Sequence, residues 1–280
     1  MPAIAYVNGK FSPIEDAVVS VEDRGFQLGD GVYEVLRTYR GRLHAVEEHM
    51  RRLFRSLDAI ELKHPFTAAG LEKVIVEAVK RAGFADSLVY LQITRGATKR
   101  AKEFPADTEP TLVITVRKLE LPSAALREQG VAITTADDIR WQRCDIKTVC
   151  LLPNVLASQR AKAAGCFEAL FVEKDGTVNE CASANIFIVT SGIVVTPPLS
   201  ARILSGITRE EVIALARKNG VPMEERRFTL AELLAADEVF LTGTTVEVLS
   251  VVKVNDRPIA AGKPGPVTQR LHELFREVAG

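Results

Sequence analysis

Lys147 stands between Ile146 and Thr148 in the stretch RCDIKTVC, residues 143–150. A lysine amine can act as a nucleophile, a Schiff-base partner or a proton carrier when its surroundings favour the neutral form. If the stretch is extended, Lys147 shares a face with Asp145 and Val149 while Ile146 and Thr148 take the other. A solvated lysine on a half-exposed strand satisfies the same pattern, so other residues must decide between the two readings.

Three more segments carry possible chemistry. In LSGITREEVIALARKNG, Gly206 loosens the entry, Thr208 suits a helix N-cap, Glu211 follows at capping-box spacing and Gly220 can end the helix. The same helix start offers unpartnered backbone N–H groups and a hydroxyl, which together suit a phosphate. Cap and phosphate compete for one hydroxyl, and this segment alone favours the cap. LTGTTVE places Thr242, Thr244 and Thr245 around Gly243, either as a plain strand-end turn or as the other half of a phosphate cup. In NECASANIF, Glu180 reads as a solvated strand-end carboxylate. Buried beside a pyridine ring, it would instead keep the ring nitrogen protonated and the ring electron-accepting. Neither G-x-G-x-x-G nor G-x-x-x-x-G-K-[ST] occurs, so neither a dinucleotide fold nor a P-loop is indicated. A lysine, a glutamate and a phosphate cup are the groups that a pyridoxal phosphate site requires.

The elements that must position these groups follow from periodicity. IAYVNGKF predicts a hairpin turning at Asn8-Gly9, and VYEVLRTYRGRLHAV a second one with Arg40-Gly41 at its tip. Val46, Met50, Leu53, Phe54 and Leu57 recur at helical spacing, as do Leu71, Val74, Ile75, Ala78 and Val79. SLVYLQITRG and TLVITVRK are strand-like. LELPSAALREQG breaks both periodicities and predicts a linker over residues 119–130. It separates a smaller N-terminal α/β domain, residues 1–118, from a larger strand-rich C-terminal domain, residues 131–280. In the latter, strands at GVAITTADDIRW, ALFVEKDGTV, NIFIVTSGIVVTPP, DEVFLTGT and VEVLSVVKV alternate with three helical segments. The fold class is α/β (α+β).

Composition narrows the partners. Thirty-six basic residues match thirty-six acidic ones over 280 residues, so no whole-chain field favours nucleic acid or an anionic membrane. MPAIAYVNGKF lacks a basic stretch followed by an apolar one, and no run approaches the ~20 apolar residues of a membrane span, so a cytoplasmic location is expected. Cys144, Cys150, Cys166 and Cys181 form no C-x-x-C pair and read as reduced structural residues rather than a disulfide frame or zinc site.

EDRGFQLGDGVYEV, YLQITRG, RAKEFP, WQRCDIKTV, the stretch from NVLASQ to GCFEAL, NECASANIF, LSGITRE and LTGTTVE occur in the order seen in fold-type IV pyridoxal-phosphate enzymes. Over nearly the whole chain they most resemble the D-amino-acid aminotransferase branch. The resemblance implies a two-domain fold and pyridoxal 5'-phosphate as cofactor. It implies that Lys147 forms the internal aldimine and shuttles the substrate's α-proton, and that Glu180 partners the pyridine nitrogen. Arg52, Ile207, Thr208 and Thr244 correspond to phosphate contacts, Ile207 through its backbone. The helical wheel puts Arg51, Arg52 and Arg55 all off the apolar face, so the choice of Arg52 rests on the resemblance alone. Tyr33 corresponds to a substrate-side tyrosine, and Arg100 to an arginine delivered across a homodimer interface to the substrate carboxylate. Lys102 stands where the better-known D-amino-acid enzymes carry histidine; it either adds a cation to the substrate site or stays solvated.

The expected activity is transfer of an amino group between a D-amino acid, such as D-alanine, D-glutamate or D-aspartate, and a 2-oxo acid. Other reactions of the same fold are the alternatives: a branched-chain L-amino-acid or (R)-amine transaminase, or an aminodeoxychorismate-type lyase. In a non-catalytic binding module, Lys147 and Glu180 would instead form a structural ion pair, a costly or at best neutral use of two buried charges.

Overall fold

Asn8 and Gly9 adopt φ of 44° and 97°, the left-handed pair that a two-residue hairpin turn requires. They join β1 (Ile4–Val7) to β2 (Lys10–Pro13). The computed structural model describes residues 3–280. Residues up to Glu120 together with Ile146–Cys150 form one unit, and Leu121–Asp145 with Leu151–Gly280 form the other.

The first unit continues with α1 (Arg24–Leu28), β3 (Gly31–Tyr39), β4 (Arg42–Leu43), α2 (Val46–Ala59), α3 (Ala68–Ala82), β5 (Ser87–Thr94) and β6 (Thr111–Lys118). Its strands make an antiparallel sheet in the order β2-β1-β6-β5-β3-β4. Helices α2 and α3 turn Met50, Leu53, Leu57, Leu71, Ile75 and Ala78 into a core with Leu36, Val89, Leu91 and Ile114 of the sheet. The spacing of those helix residues is the one read from periodicity. In α2 a second, polar stripe is also buried: His49, Arg52 and Ser56 at i, i+3 and i+7. The three arginines that lie off the apolar face are separated there, because Arg52 is 5% exposed whereas Arg51 and Arg55 are exposed. A carboxylate from β3 meets it there.

The second unit contains α4 (Ala124–Gln129), β7 (Val131–Asp137), α5 (Leu152–Ala163), β8 (Glu168–Val172), β9 (Val178–Cys181), β10 (Asn185–Thr190) and β11 (Ile193–Thr196). It continues with α6 (Ile207–Lys218), β12 (Met223–Glu225), α7 (Leu230–Leu234), β13 (Glu238–Gly243), β14 (Glu247–Val254), β15 (Arg257–Pro258) and α8 (Pro266–Ala279). The segment read as a linker, residues 119–130, holds α4, whose Ser123 accepts a capping bond from the Leu126 N–H. A mixed sheet runs β12-β11-β10-β13-β14-β7-β8-β9, with β15 on β14. Alternation sorts the faces of β13. Val239 and Leu241 enter a core with Ile186, Ile188 and Leu249, while Glu238 accepts the Val267 and Thr268 N–H groups that start α8. On that α8 side, Phe187 and Phe240 stack at 4.7 Å, an aromatic pair worth about 1 kcal/mol beyond its buried area.

Candidate active site

In the first unit the site is built on an open sheet edge. β5 covers one side of β3, and the start of the other side is taken by residues 147–149 rather than by β4. The Tyr33 N–H donates to the Lys147 carbonyl at 2.9 Å and the Val149 N–H to the Gly31 carbonyl at 3.1 Å. Val32 and Thr148 form one antiparallel bridge. The Lys147 N–H reaches Ser56 Oγ at 3.3 Å, so the polar stripe of α2 also holds this backbone. The stretch is a bridged loop rather than a strand, yet it keeps the expected alternation: Ile146 and Thr148 are buried, Lys147 and Val149 half-buried. The Lys147 Nζ lies 4.3 Å from the centre of the Tyr33 ring.

Beneath them lies a buried ion cluster. Arg52 Nε donates to Glu34 Oε1 at 2.7 Å and Arg52 Nη2 to Glu34 Oε2 at 2.8 Å, while His49 Nδ1 stands 2.7 Å from Oε2. Burial would raise the Glu34 pKa, but the Arg52 charge and the bonds from Arg52 and His49 override it and hold it at about 2. In His49 burial prevails instead and lowers its pKa as well, against the pull of Glu34. Its imidazole is thus neutral near pH 7, and Nδ1 must carry the proton, since an ionised Glu34 only accepts. Glu34 fixes the Arg52 guanidinium in a bidentate fork. Tyr90, which the sequence reading did not single out, stacks on Tyr33 at 5.5 Å and donates to Gln92 Oε1 at 2.6 Å. Its phenol is pushed up to about 12 by burial and by Tyr33. Alternation along the quoted YLQITRG segment was the available signal, because Val35 faces Tyr90 and Tyr33 faces Gln92 across the β3–β5 pair.

In the second unit Glu180 is buried on β9. Arg140 Nη1 donates to its Oε1 at 2.5 Å; Asn185 Nδ2 and the Leu204 N–H donate to Oε2 at 3.2 and 3.0 Å. Arg140 is itself gripped by Asp138 through Nε and Nη2 at 2.9 and 2.8 Å, and lies over the Phe171 ring. Burial opposes ionisation of Asp138, but Arg140, Asn179 and Arg202 lower its pKa. The same acids raise that of Arg140 against its own burial. Glu180 is therefore paired with Arg140, a cation that periodicity and spacing did not reveal.

Asn185 links Glu180 to the α6 entry. Its amide donates to the Leu204 carbonyl at 3.0 Å, and a Cβ on Gly206 would collide with its Oδ1. That close approach needs glycine, so the helix starts there: Gly206 is the N-cap, with no side-chain capping bond, and Thr208 is the second helical residue. The reading of Thr208 and Glu211 as a capping box is corrected. A true capping box occurs at Thr229 and Glu232. The first N–H groups of α6, at Ile207, Thr208 and Arg209, precede the intrahelical ladder. Ile207 and Thr208 are buried. Helix α6 packs on β13, whose end is the LTGTTVE turn, and Gly243 approaches Ser183 and Ala184. Thr244 is half-buried in that turn. The neighbouring Thr242 hydroxyl is buried without a hydrogen-bond partner among the described residues.

These features fit pyridoxal 5'-phosphate. In the second unit, a glycine-capped helix start and an orphaned hydroxyl are donors for a phosphate and a buried carboxylate suits a pyridine nitrogen; in the first, a fixed guanidinium also suits a phosphate and a half-buried amine an aldehyde. The structure brings Tyr33, Arg52 and Lys147 together in the first unit, and Glu180, Ile207, Thr208 and Thr244 in the second. Arg100 and Lys102 sit apart from Lys147 in sequence, exposed on the loop after β5.

Comparison with known proteins agrees with pyridoxal 5'-phosphate as the cofactor. Residues 31–254 match the amino-transferase class IV family. The chain is 40% identical over 269 residues to a D-alanine aminotransferase of Bacillus licheniformis, covering 96% of this chain and 94% of that protein. It is 38% identical over 273 residues to one from Staphylococcus haemolyticus, at 97% and 96% coverage. Among solved structures, a T.th. branched-chain amino acid aminotransferase with pyridoxamine 5'-phosphate superposes with a TM-score of 0.91 at 29% identity, covering 99% of this chain and 94% of that one. A branched-chain aminotransferase of Thermoproteus uzoniensis with norvaline gives 0.88 at 30%, with the same coverage.

Proposed function

Because the chain belongs to the class IV aminotransferases, we propose that it moves an amino group between a D-amino acid, of the D-alanine, D-glutamate or D-aspartate class, and a 2-oxo acid. The observation that carries this reading is the near-full-length likeness to D-alanine aminotransferases. Pyridoxal 5'-phosphate, when bound, supplies the aldehyde that receives the amino group and the ring that accepts the electrons left at the substrate's α-carbon. The residues do the rest. Arg52, the Ile207 and Thr208 N–H groups and the Thr208 and Thr244 hydroxyls bind the phosphate. Glu180, oriented by Arg140 and Asn185, holds a proton at the pyridine nitrogen. The Lys147 amine would hold the cofactor through its aldehyde and, once freed by the incoming substrate amine, would serve as the base that takes the α-proton and the acid that gives it back.

Tyr33 and Arg100 hold the substrate carboxylate, with Lys102 adding a weaker point charge. A carboxylate fixed on one side turns the α-hydrogen toward Lys147 in only one enantiomer. The exposure of Arg100 and Lys102 suits residues delivered to a partner subunit, and α5 offers an exposed apolar stripe at Leu152, Val155 and Leu156; both support a homodimer. The proposed compartment is the cytoplasm, where the four free cysteines stay reduced. Among the described residues no helix is long and apolar enough to cross a membrane.

The likeness to solved branched-chain enzymes favours a second reading, L-branched-chain transamination. A single-turnover assay decides: D-alanine, D-glutamate or D-aspartate should convert the cofactor to its amine form much faster than their L-enantiomers. If L-leucine or L-valine reacts fastest, the D-specific reading is wrong.

A further inference from the structure

The loop after β5 carries Lys99, Arg100 and Lys102, all exposed. Ordering such a loop costs backbone entropy at every residue, so a residue that must meet a small anion at a defined point needs the loop tied down. Two buried arginines do this. Arg24 is 2% exposed; its Nη1 donates to the Ala101 carbonyl at 2.7 Å and its Nη2 to the Lys102 carbonyl at 3.3 Å. Its Nε donates to Asp30 Oδ2 at 2.7 Å. Arg95 grips the same carboxylate through Nε at 2.9 Å and Nη2 at 3.1 Å, and donates to the Glu61 and Ile60 carbonyls. Its guanidinium lies 3.7 Å from the centre of the Phe104 ring. Backbone bonds from Arg24 N–H to the Gly96 carbonyl and from Thr98 N–H to the Glu22 carbonyl zip the base of the loop to the α1 segment.

We propose that Arg24, anchored by Asp30, is a positioning residue that fixes the Arg100 loop and thereby sets recognition of the substrate carboxylate. The inference rests on the reading of Arg100 as the carboxylate anchor. Arg24 holds the two peptide carbonyls that directly follow Arg100 in the chain, and being buried it acts through the loop. All three guanidinium nitrogens are used at once, on one carboxylate oxygen and two carbonyls, a fork that a lysine ammonium does not reproduce. Asp30 is shared, so loss of Arg24 leaves that carboxylate still paired with Arg95 and the interior without an isolated charge. Phe104 is an independent handle on the far side of the loop, more than half exposed.

The test uses the cofactor-loaded enzyme and D-alanine. Arg24→Ala and Arg24→Lys should each raise KM about tenfold while kcat stays within about threefold, the cost of misplacing a binding group. Phe104→Ala should raise KM in the same direction. The visible spectrum and cofactor affinity should not change, whereas trypsin cleavage after Lys99, Arg100 or Lys102 should accelerate in each variant. Arg100→Ala is run in parallel. If it leaves KM unaltered, the carboxylate-anchor reading fails and takes this inference with it. If Arg100→Ala raises KM but Arg24→Ala and Phe104→Ala leave KM and cleavage at wild-type values, the anchor stands and the positioning role is overturned. Should Arg24→Ala not load cofactor, Phe104→Ala, which alters only an exposed side chain, decides by the same two readouts.

Discussion

The Lys147 Nζ stands 4.3 Å from the centre of the Tyr33 ring, and the Tyr33 N–H donates to the Lys147 carbonyl. One residue therefore holds both the backbone and the amine of the proposed proton carrier. Borohydride reduction of the loaded enzyme followed by peptide mapping should find the cofactor fixed on Lys147; an adduct on another lysine refutes the assignment. Tyr33→Leu, which removes the ring, should slow single-turnover proton transfer by about tenfold or more, since a carrier displaced by an ångström loses that much. Tyr33→Phe should lose less.

The Glu34–Arg52 pair makes a pH-dependent contribution of defined sign. The folded-state pKa of Glu34, about 2, lies below the ordinary 4.5. Its stabilisation is therefore complete above pH ~4.5 and is lost as pH falls towards ~2, on the order of 3 kcal/mol across that window. Glu34→Gln should flatten this part of a urea-midpoint titration. At pH 7 it should lose roughly 3–5 kcal/mol, because Arg52 keeps its charge without its counter-ion. An unchanged acid limb would contradict the burial of the pair.

How far the sequence revealed this site depended on whether a residue's role is local. Lys147, Glu180 and the Gly206–Thr208 helix start carry their chemistry in their own segments, and the order of the motifs supplied the rest. Arg52 was not separable from Arg51 and Arg55 on a helical wheel, since its burial comes from Glu34, 18 residues away on β3. The α6 cap was misread for a similar reason: Asn185 crowds Gly206, and the N-cap is this glycine, two residues before Thr208. Arg140 and Asp138 were invisible because their link to Glu180 exists only once β7 and β9 lie in one sheet. The hairpins, α2, α3 and the core strands were legible because turn chemistry and apolar period are local.

Thr208 separates cofactor binding from helix capping. Gly206 caps α6 without any side chain, so Thr208→Val, which keeps the shape and removes the hydroxyl, should not incur the ~1 kcal/mol loss of a cap in the cofactor-free protein. It should raise the cofactor Kd. Thr229→Ala is the contrast: it removes the hydroxyl that accepts the Glu232 N–H in a real capping box and should cost about 1 kcal/mol without altering cofactor affinity. Chemical denaturation and fluorescence titration of the two variants check the pair.

Glu180→Gln should slow α-proton abstraction far more than it weakens cofactor binding, because the phosphate contacts remain while the negative charge facing the pyridine nitrogen is gone. Arg140 would then be left beside a neutral amide but still paired with Asp138, so the protein should fold and load. Stopped-flow single turnovers with D-alanine give the rate, and unchanged rates would remove Glu180 from its proposed role.

Subunit mixing tests whether Arg100 serves its own pocket or its neighbour's. Lys147→Ala and Arg100→Ala proteins should each be nearly inactive. If Arg100 crosses the interface of a two-fold dimer, a hybrid contains one pocket lacking both residues and one pocket wild-type in both. Random exchange makes half the dimers hybrids, so activity should recover to about one quarter of the wild-type value. If Arg100 acts within its own subunit, every hybrid pocket lacks one residue or the other and no activity returns. Mass spectrometry of differently tagged subunits establishes that exchange occurred. Recovery near one quarter then supports the crossed arrangement, and none after exchange means that each pocket is completed by a single chain.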